Sequence, residues 1–214
     1  MAILDTISSS LQAGNDAAVL EQTRKAIADG LSASDILSGG LISGMDVIGR
    51  KFKNQEIFLP DVLLAARAMH AGMDVLKPLL VKAGVASRGK IILGTVSGDL
   101  HDIGKNLVGI MLKGAGYEVI DLGTDVGAEQ FIETAERESA GLIGMSALLT
   151  TTMPAMQKIT DLLKERGLHT RIKTIAGGAP LSEKSAAELG ADYYAGDAAT
   201  AVEVVKTILP EPGT

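Results

Sequence analysis

Ile91-Ile92-Leu93-Gly94-Thr95-Val96 is a short apolar run, and Gly98-Asp99-Leu100-His101-Asp102-Ile103-Gly104-Lys105-Asn106 follows it directly. The first stretch reads as a buried strand. Leu107-Val108-Gly109-Ile110-Met111-Leu112-Lys113, beyond the second, has the spacing of an amphipathic helix. A His with an Asp two residues upstream is thus expected in the loop at the carboxyl end of a strand, where open α/β sheets bind ligands. The chain has three His and no Cys, so His101 is the natural donor for a soft or borderline metal.

The same alternation continues outward. Strands are expected near 90–96, 117–122, 141–146, 172–176 and 192–195, with helices near 103–115, 127–138, 153–166, 182–189 and 198–208. Short loops between alternating elements predict a parallel sheet with helices on both faces. Five strands match the flavodoxin-like order 2-1-3-4-5.

Towards the N-terminus the pattern changes to helical periods without a convincing strand. Four helices are expected. The first lies near 2–11, and the second runs from Asp16 to a stop at Asp29-Gly30. The third follows the capping-box-like Ser32-Ala33-Ser34-Asp35 and reaches about Lys53. The fourth starts at Pro60, with Val62, Ala65, Ala66, Met69, Met73 and Leu76 on one face and Pro78 as a kink or an end. Gly39, Gly40, Gly44 and Gly49 weaken the third helix in isolation, so they imply close approach to a neighbour or to a flat ligand. The organisation read here is a four-helix bundle over 1–83, a small-residue linker at 84–89 and a five-stranded α/β domain over 90–214.

Composition removes several function classes. Aromatics are 3% of 214 residues and Trp is absent, so both cores must be aliphatic. A net charge of −6 without a basic cluster argues against nucleic acid. No apolar run of about 18 residues predicts a membrane span, and the first residues lack a signal-peptide pattern, so the expected location is cytoplasmic. Zero Cys removes disulfides, thiolate metal sites and Cys nucleophiles. A P-loop needs Gly at 99 and Ser or Thr at 106, where the chain has Asp99 and Asn106. Patterns for a dinucleotide fold, a Ser-hydrolase elbow or a receiver's acidic cluster are missing. His70 and His169 have no ligand partner at useful spacing.

Asp99, His101 and Gly104 resemble the D-x-H-x-x-G signature of cobalamin-binding (corrinoid) proteins. Two further motifs stand in the family's order at the ends of the expected strands: Ser146-Ala147-Leu148, and Gly177-Gly178-Ala179. The helical half, through Gly44–Phe52, Phe58–Val62 and Ala65–Met69, is similar to the cap module of methionine synthase and of small corrinoid methyl carriers. The resemblance covers about residues 2–209. It implies a cobalamin cofactor whose cobalt is ligated by His101 from below, with Asp99 fixing the other ring nitrogen. A Ser that often completes the relay is replaced by Thr152, which keeps the hydroxyl; Thr152 also suits a helix N-cap. By this resemblance Asp99 and Thr152 would exchange a proton as the cobalt–His bond forms and breaks.

The resemblance also assigns cofactor contacts to Gly98, Asp102, Ile103, Asn106, Leu107, Ser146, Leu148, Thr150, Gly177, Gly178, Ala179 and Tyr194, and an upper lid to Phe52, Leu59 and Val62. It implies a non-catalytic methyl carrier. A substrate:corrinoid methyltransferase would load it, a methylcorrinoid:acceptor methyltransferase would unload it to tetrahydrofolate or a thiol, and a reductive activase would service it. Two other classes share the domain. An adenosylcobalamin mutase subunit usually lacks the cap, and Phe52 and Leu59 speak against a bulky upper ligand. A cobalamin-dependent sensor carries a DNA-binding module, which neither the sequence before residue 16 nor the acidic balance supports.

Overall fold

The computed structural model describes residues 2–85 and 87–210. The chain forms two compact units. One runs to Ser87 and includes Gly114–Gly116; the other comprises Arg88–Lys113 and the chain from Tyr117 on. Ala86, in the expected linker, lies outside the described residues.

The first unit is helical: α1 (Ile3–Gln12), α2 (Asp16–Ala28), α3 (Ala33–Asp35), a π-helix (Ile36–Ile42), α4 (Ser43–Lys53) and α5 (Leu59–Lys82). Asn15 caps α2 by accepting the Ala18 amide at 3.0 Å. Ser32 accepts the Asp35 amide at 3.0 Å and donates its hydroxyl to the Asp35 carboxylate at 2.6 Å, which starts the third helical rod. That rod is not one α-helix as its sequence predicts. It widens into a π-helix that turns Ile36, Gly40, Leu41 and Ile42 all to the buried side.

The rod's glycines answer to a protein neighbour. A Cβ on Gly39, Gly40 or Gly44 would meet Leu4, Ile7 or Leu11 of α1 at 2.9–3.1 Å. α5 continues through Pro78 to Lys82 and buries Val62, Ala65, Ala66, Met69 and Leu76. In α2, two buried side-chain oxygens, Gln22 Oε1 and Thr23 Oγ1, find no hydrogen-bond partner among the described residues.

The second unit runs β1 (Lys90–Thr95), α6 (Ile103–Gly114), β2 (Glu118–Asp121), α7 (Ala128–Arg137), β3 (Leu142–Ser146), α8 (Pro154–Glu165), β4 (Lys173–Gly177), α9 (Glu183–Glu188), β5 (Tyr193–Ala195) and α10 (Ala198–Ile208). The sheet is parallel in the order β2-β1-β3-β4-β5, as the alternation predicts. β1, β3 and β4 are buried almost throughout, as strands covered on both faces must be, while β2 and β5 are edges. The core gathers Ile92, Ile143, Met145, Met156 and Ile159 around Phe131, whose ring fills the space a Cβ on Gly94 would need, 2.6 Å from its Cζ.

This topology positions the site. The chain order reverses between β1 and β3, and Thr95 pairs with Ser146 at their ends. The His101 loop and the Ser146 loop therefore leave the sheet side by side at the switch point.

Candidate functional site

Asp99 is the centre of the arrangement, and it is fully buried. Gly98, at φ +84, turns the chain out of β1 and delivers the carboxylate. Its Oδ1 accepts the His101 backbone amide at 3.0 Å and lies 2.7 Å from His101 Nδ1. Its Oδ2 accepts the amides of Leu148 at 2.7 Å and Leu149 at 3.2 Å, and the Thr152 hydroxyl at 2.8 Å. Burial alone would raise the pKa of this acid. The bonds from the His101 and Leu148 amides, the imidazole and Thr152 outweigh it and hold Asp99 well below the usual carboxylate range.

An ionised Asp99 fixes the imidazole. Nδ1 carries the proton in the Asp99 bond, which leaves the lone pair of the neutral ring on Nε2. The His101 side chain is 52% exposed, and Thr95 Oγ1 donates to its backbone carbonyl at 2.9 Å. Around it the surface is apolar: Leu100 and Ile103 are 73% and 77% exposed, and Leu148 and Leu149 are also exposed. A Cβ on Gly104 would meet nothing within 4 Å, so the space beside the first turn of α6 is open.

The other expected contacts divide. Asp102 and Asn106 are tied to each other at 2.9 Å, and Asn106 accepts from the buried Lys105 ammonium at 2.7 Å. Lys105 also pairs with Asp121 at the end of β2. Leu107 is half-buried on α6, Ser146 is half-buried at the end of β3, and Thr150 is exposed. Thr152 gives its hydroxyl to Asp99, and α8 opens with Met153 at its N-cap and no side-chain cap, so of its two expected roles the structure has the Asp99 contact.

Gly178 sits at φ +139, and a Cβ there would lie 1.8 Å from the Ala147 carbonyl oxygen. Glycine is demanded at 178 by the protein's own β3 loop. Ala179 is exposed beside it, Gly177 accepts the Ala147 amide at 3.2 Å, and Tyr194 donates to the Leu181 carbonyl at 3.0 Å, steadying this loop from β5. In the helical unit, Phe52 on α4 and Leu59 at the start of α5 are partly exposed, and Val62 is buried.

Sequence reasoning missed Thr95, the Leu149 amide and Asp125. Asp125, in the loop after β2, accepts the Gly98 amide at 2.7 Å. Its signal was its place at the carboxyl end of a strand, the rule that selected the other loops.

Among the described residues no group of three or more His, Asp or Glu side chains is arranged for a bare ion. A metal already held in a macrocycle asks only for an axial donor, and an oriented, exposed imidazole on an apolar rim meets that demand. A B12 binding domain matches residues 89–206, and a second B12 binding domain matches residues 3–77. The chain belongs to the B12-binding corrinoid proteins. It is 44% identical over 212 residues to a corrinoid protein of Desulfitobacterium hafniense, covering 98% of each chain. It is 45% identical to dimethylamine corrinoid protein 1 of Methanosarcina acetivorans, over 90% of each. Among solved structures, the methanol:cobalamin methyltransferase complex of Methanosarcina barkeri matches with a TM-score of 0.86 and 31% identity, covering 99% of this chain and 80% of that one. A cobalamin-binding protein from Desulfitobacterium hafniense matches at 0.80 and 32%, over 96% and 98%. The cofactor of this corrinoid protein is a cobalamin or a related corrinoid. No helix among the described residues is long and apolar enough to cross a membrane.

Proposed function

We propose that this protein is the non-catalytic methyl carrier of a cytoplasmic methyltransferase system. It would be loaded by a substrate:corrinoid methyltransferase, unloaded by a methylcorrinoid:acceptor methyltransferase that serves tetrahydrofolate or a thiol, and serviced by a reductive activase. The observation that carries the reading is the Asp99–His101 pair, with Nδ1 held at 2.7 Å and the ring exposed. The names of relatives that cover 90% and 99% of the chain, a dimethylamine corrinoid protein and a methanol:cobalamin methyltransferase complex, support the same role with a small methylated donor.

When bound, the cobalt corrinoid supplies the centre that accepts and releases the methyl group. The chain's own residues hold and orient. His101 Nε2 would hold the cobalt. Asp99 fixes the orientation of the ring, and the Leu148 and Leu149 amides with Thr152 keep Asp99 anionic. Asp99 and Thr152 would pass a proton to or from the site as His101 leaves or binds the cobalt. Leu100, Ile103, Leu148 and Leu149 offer the macrocycle an apolar seat, Gly104 leaves room beside it, and Gly98 with the Gly177–Ala179 loop lines the approach to the sheet. Phe52 and Leu59 are the proposed upper lid; Val62, expected beside them, is fully buried in the helical core and offers the cofactor no surface.

The test is the visible spectrum of the protein reconstituted with methylcobalamin, beside a His101→Ala variant. A spectrum of His-ligated corrinoid with its own base displaced, lost in the variant, is the expected result. A parent that binds methylcobalamin with an unchanged base-on spectrum would refute His101 as the ligand.

A further inference from the structure

The Asp99 carboxylate is held from β3, but something must also hold the backbone that carries it. That backbone is Ser97-Gly98-Asp99, and Gly98 lies in a left-handed conformation with no side chain of its own. Asp125, from the loop after β2, makes three bonds to this triplet. Its Oδ1 accepts the Gly98 amide at 2.7 Å and the Ser97 hydroxyl at 3.3 Å, and its own amide donates to the Asp99 carbonyl at 3.0 Å. Val96 and Val126 bridge beside them, so the two loops run together just past the sheet. Asp125 is itself left-handed, at φ +56, a conformation uncommon for a residue with a side chain and tolerated by Asp and Asn. An exposed residue has no packing reason to adopt it; here the conformation turns amide and carboxylate towards the same triplet.

We propose that Asp125 is a positioning residue for the His101 loop, bracketing Ser97–Asp99 so that the Asp99 carboxylate meets His101 Nδ1 and the imidazole stands ready to ligate. Asp99 is then fixed twice: its side chain by β3, through Leu148, Leu149 and Thr152, and its main chain by β2, through Asp125. The second restraint matters when Nε2 has no metal, because only the protein then keeps the ring in place. The proposal rests on His101 being the axial ligand.

The experiment compares Asp125→Ala, Asp125→Gly and Asp125→Asn with the parent in two measurements. The first is amide hydrogen exchange at Gly98 and His101 in the corrinoid-free protein; the second is the fraction of His-ligated corrinoid in the methylcobalamin spectrum. A charge-assisted bond to the Gly98 amide predicts exchange about tenfold or more faster in the Ala and Gly variants, together with a lower His-ligated fraction. Asn keeps an acceptor and the left-handed preference, so it should restore most of both. Gly removes the backbone strain without restoring the acceptor, so a Gly variant that behaves like the parent would overturn the proposal. So would exchange that rises while the ligated fraction stays unchanged. If the parent spectrum itself shows no His ligation, the ligand assignment fails, and the exchange of the Asn and Gly variants still decides whether Asp125 holds the loop.

Discussion

Thr23 in the helical unit and Thr152 at the sheet rim are both buried threonines, and the protein uses them in opposite ways. Thr23 Oγ1 has no partner among the described residues; Thr152 Oγ1 lies within hydrogen-bonding distance of Asp99 Oδ2 and of the Leu149 carbonyl. The difference runs through the two regions. The helical unit is built by fit, with leucine and isoleucine ends seated on bare glycine backbone, and it carries two unpaired buried oxygens, on Gln22 and Thr23, at a cost. At the rim the buried acid has every donor arranged around it, while Leu100 and Ile103 are left in the open. One region uses its residues on packing, the other on orientation.

Substitutions can break that contrast. The largest effect belongs to Asp99→Ala, which strips the acceptor from three backbone amides, the imidazole and Thr152. Urea unfolding should show a loss of about 3 kcal/mol or more, where an ordinary surface carboxylate would show almost none. The same site predicts a pH dependence. Its folded pKa is depressed, so its contribution is complete above the unfolded value of about 3.9 and is lost as pH falls below that. An Asp99→Asn variant should flatten the acid limb of stability below about pH 4 and leave the region near neutrality parallel to the parent.

Thr→Val at the two positions is the direct test. Thr152→Val should cost about 1–3 kcal/mol, because a buried carboxylate loses a donor, and Thr23→Val should be neutral or stabilise by up to about 1 kcal/mol. Equal losses at the two sites would end the comparison. The smallest effect is expected at Gly104→Ala. Nothing lies within 4 Å of the new methyl, and alanine suits a helix, so the corrinoid-free protein should gain at most about 1 kcal/mol. Methylcobalamin titration of that variant should show weaker binding, since the methyl enters space assigned to the cofactor.

Much of this was legible in the chain. Short apolar runs alternating with helical patterns placed every strand and its order, because a buried parallel strand leaves a compact apolar run. The Asp99–His101 pair was legible through the D-x-H-x-x-G signature that the loop resembles, since a ligating His needs a carboxylate on its other ring nitrogen. What escaped depends on residues far apart in sequence. The widened turn at Ile36–Ile42 packs on α1, and the need for glycine at 178 comes from Ala147 at the end of the neighbouring strand. The burial of Lys105 depends on Asp121. Asp125 carries a left-handed backbone and a paired side chain, and neither shows in its letter.

The two oxygens of Asp99 also differ in when they can be satisfied. Oδ1 finds His101 two residues away, whereas Oδ2 waits for groups 49 to 53 residues further along the chain. During synthesis the turn around His101 can therefore form early, but the acid cannot be sealed from water until β3 and Thr152 have been made and docked. A fully ordered His101 loop therefore belongs to the late stages of folding, after most of the sheet has been translated.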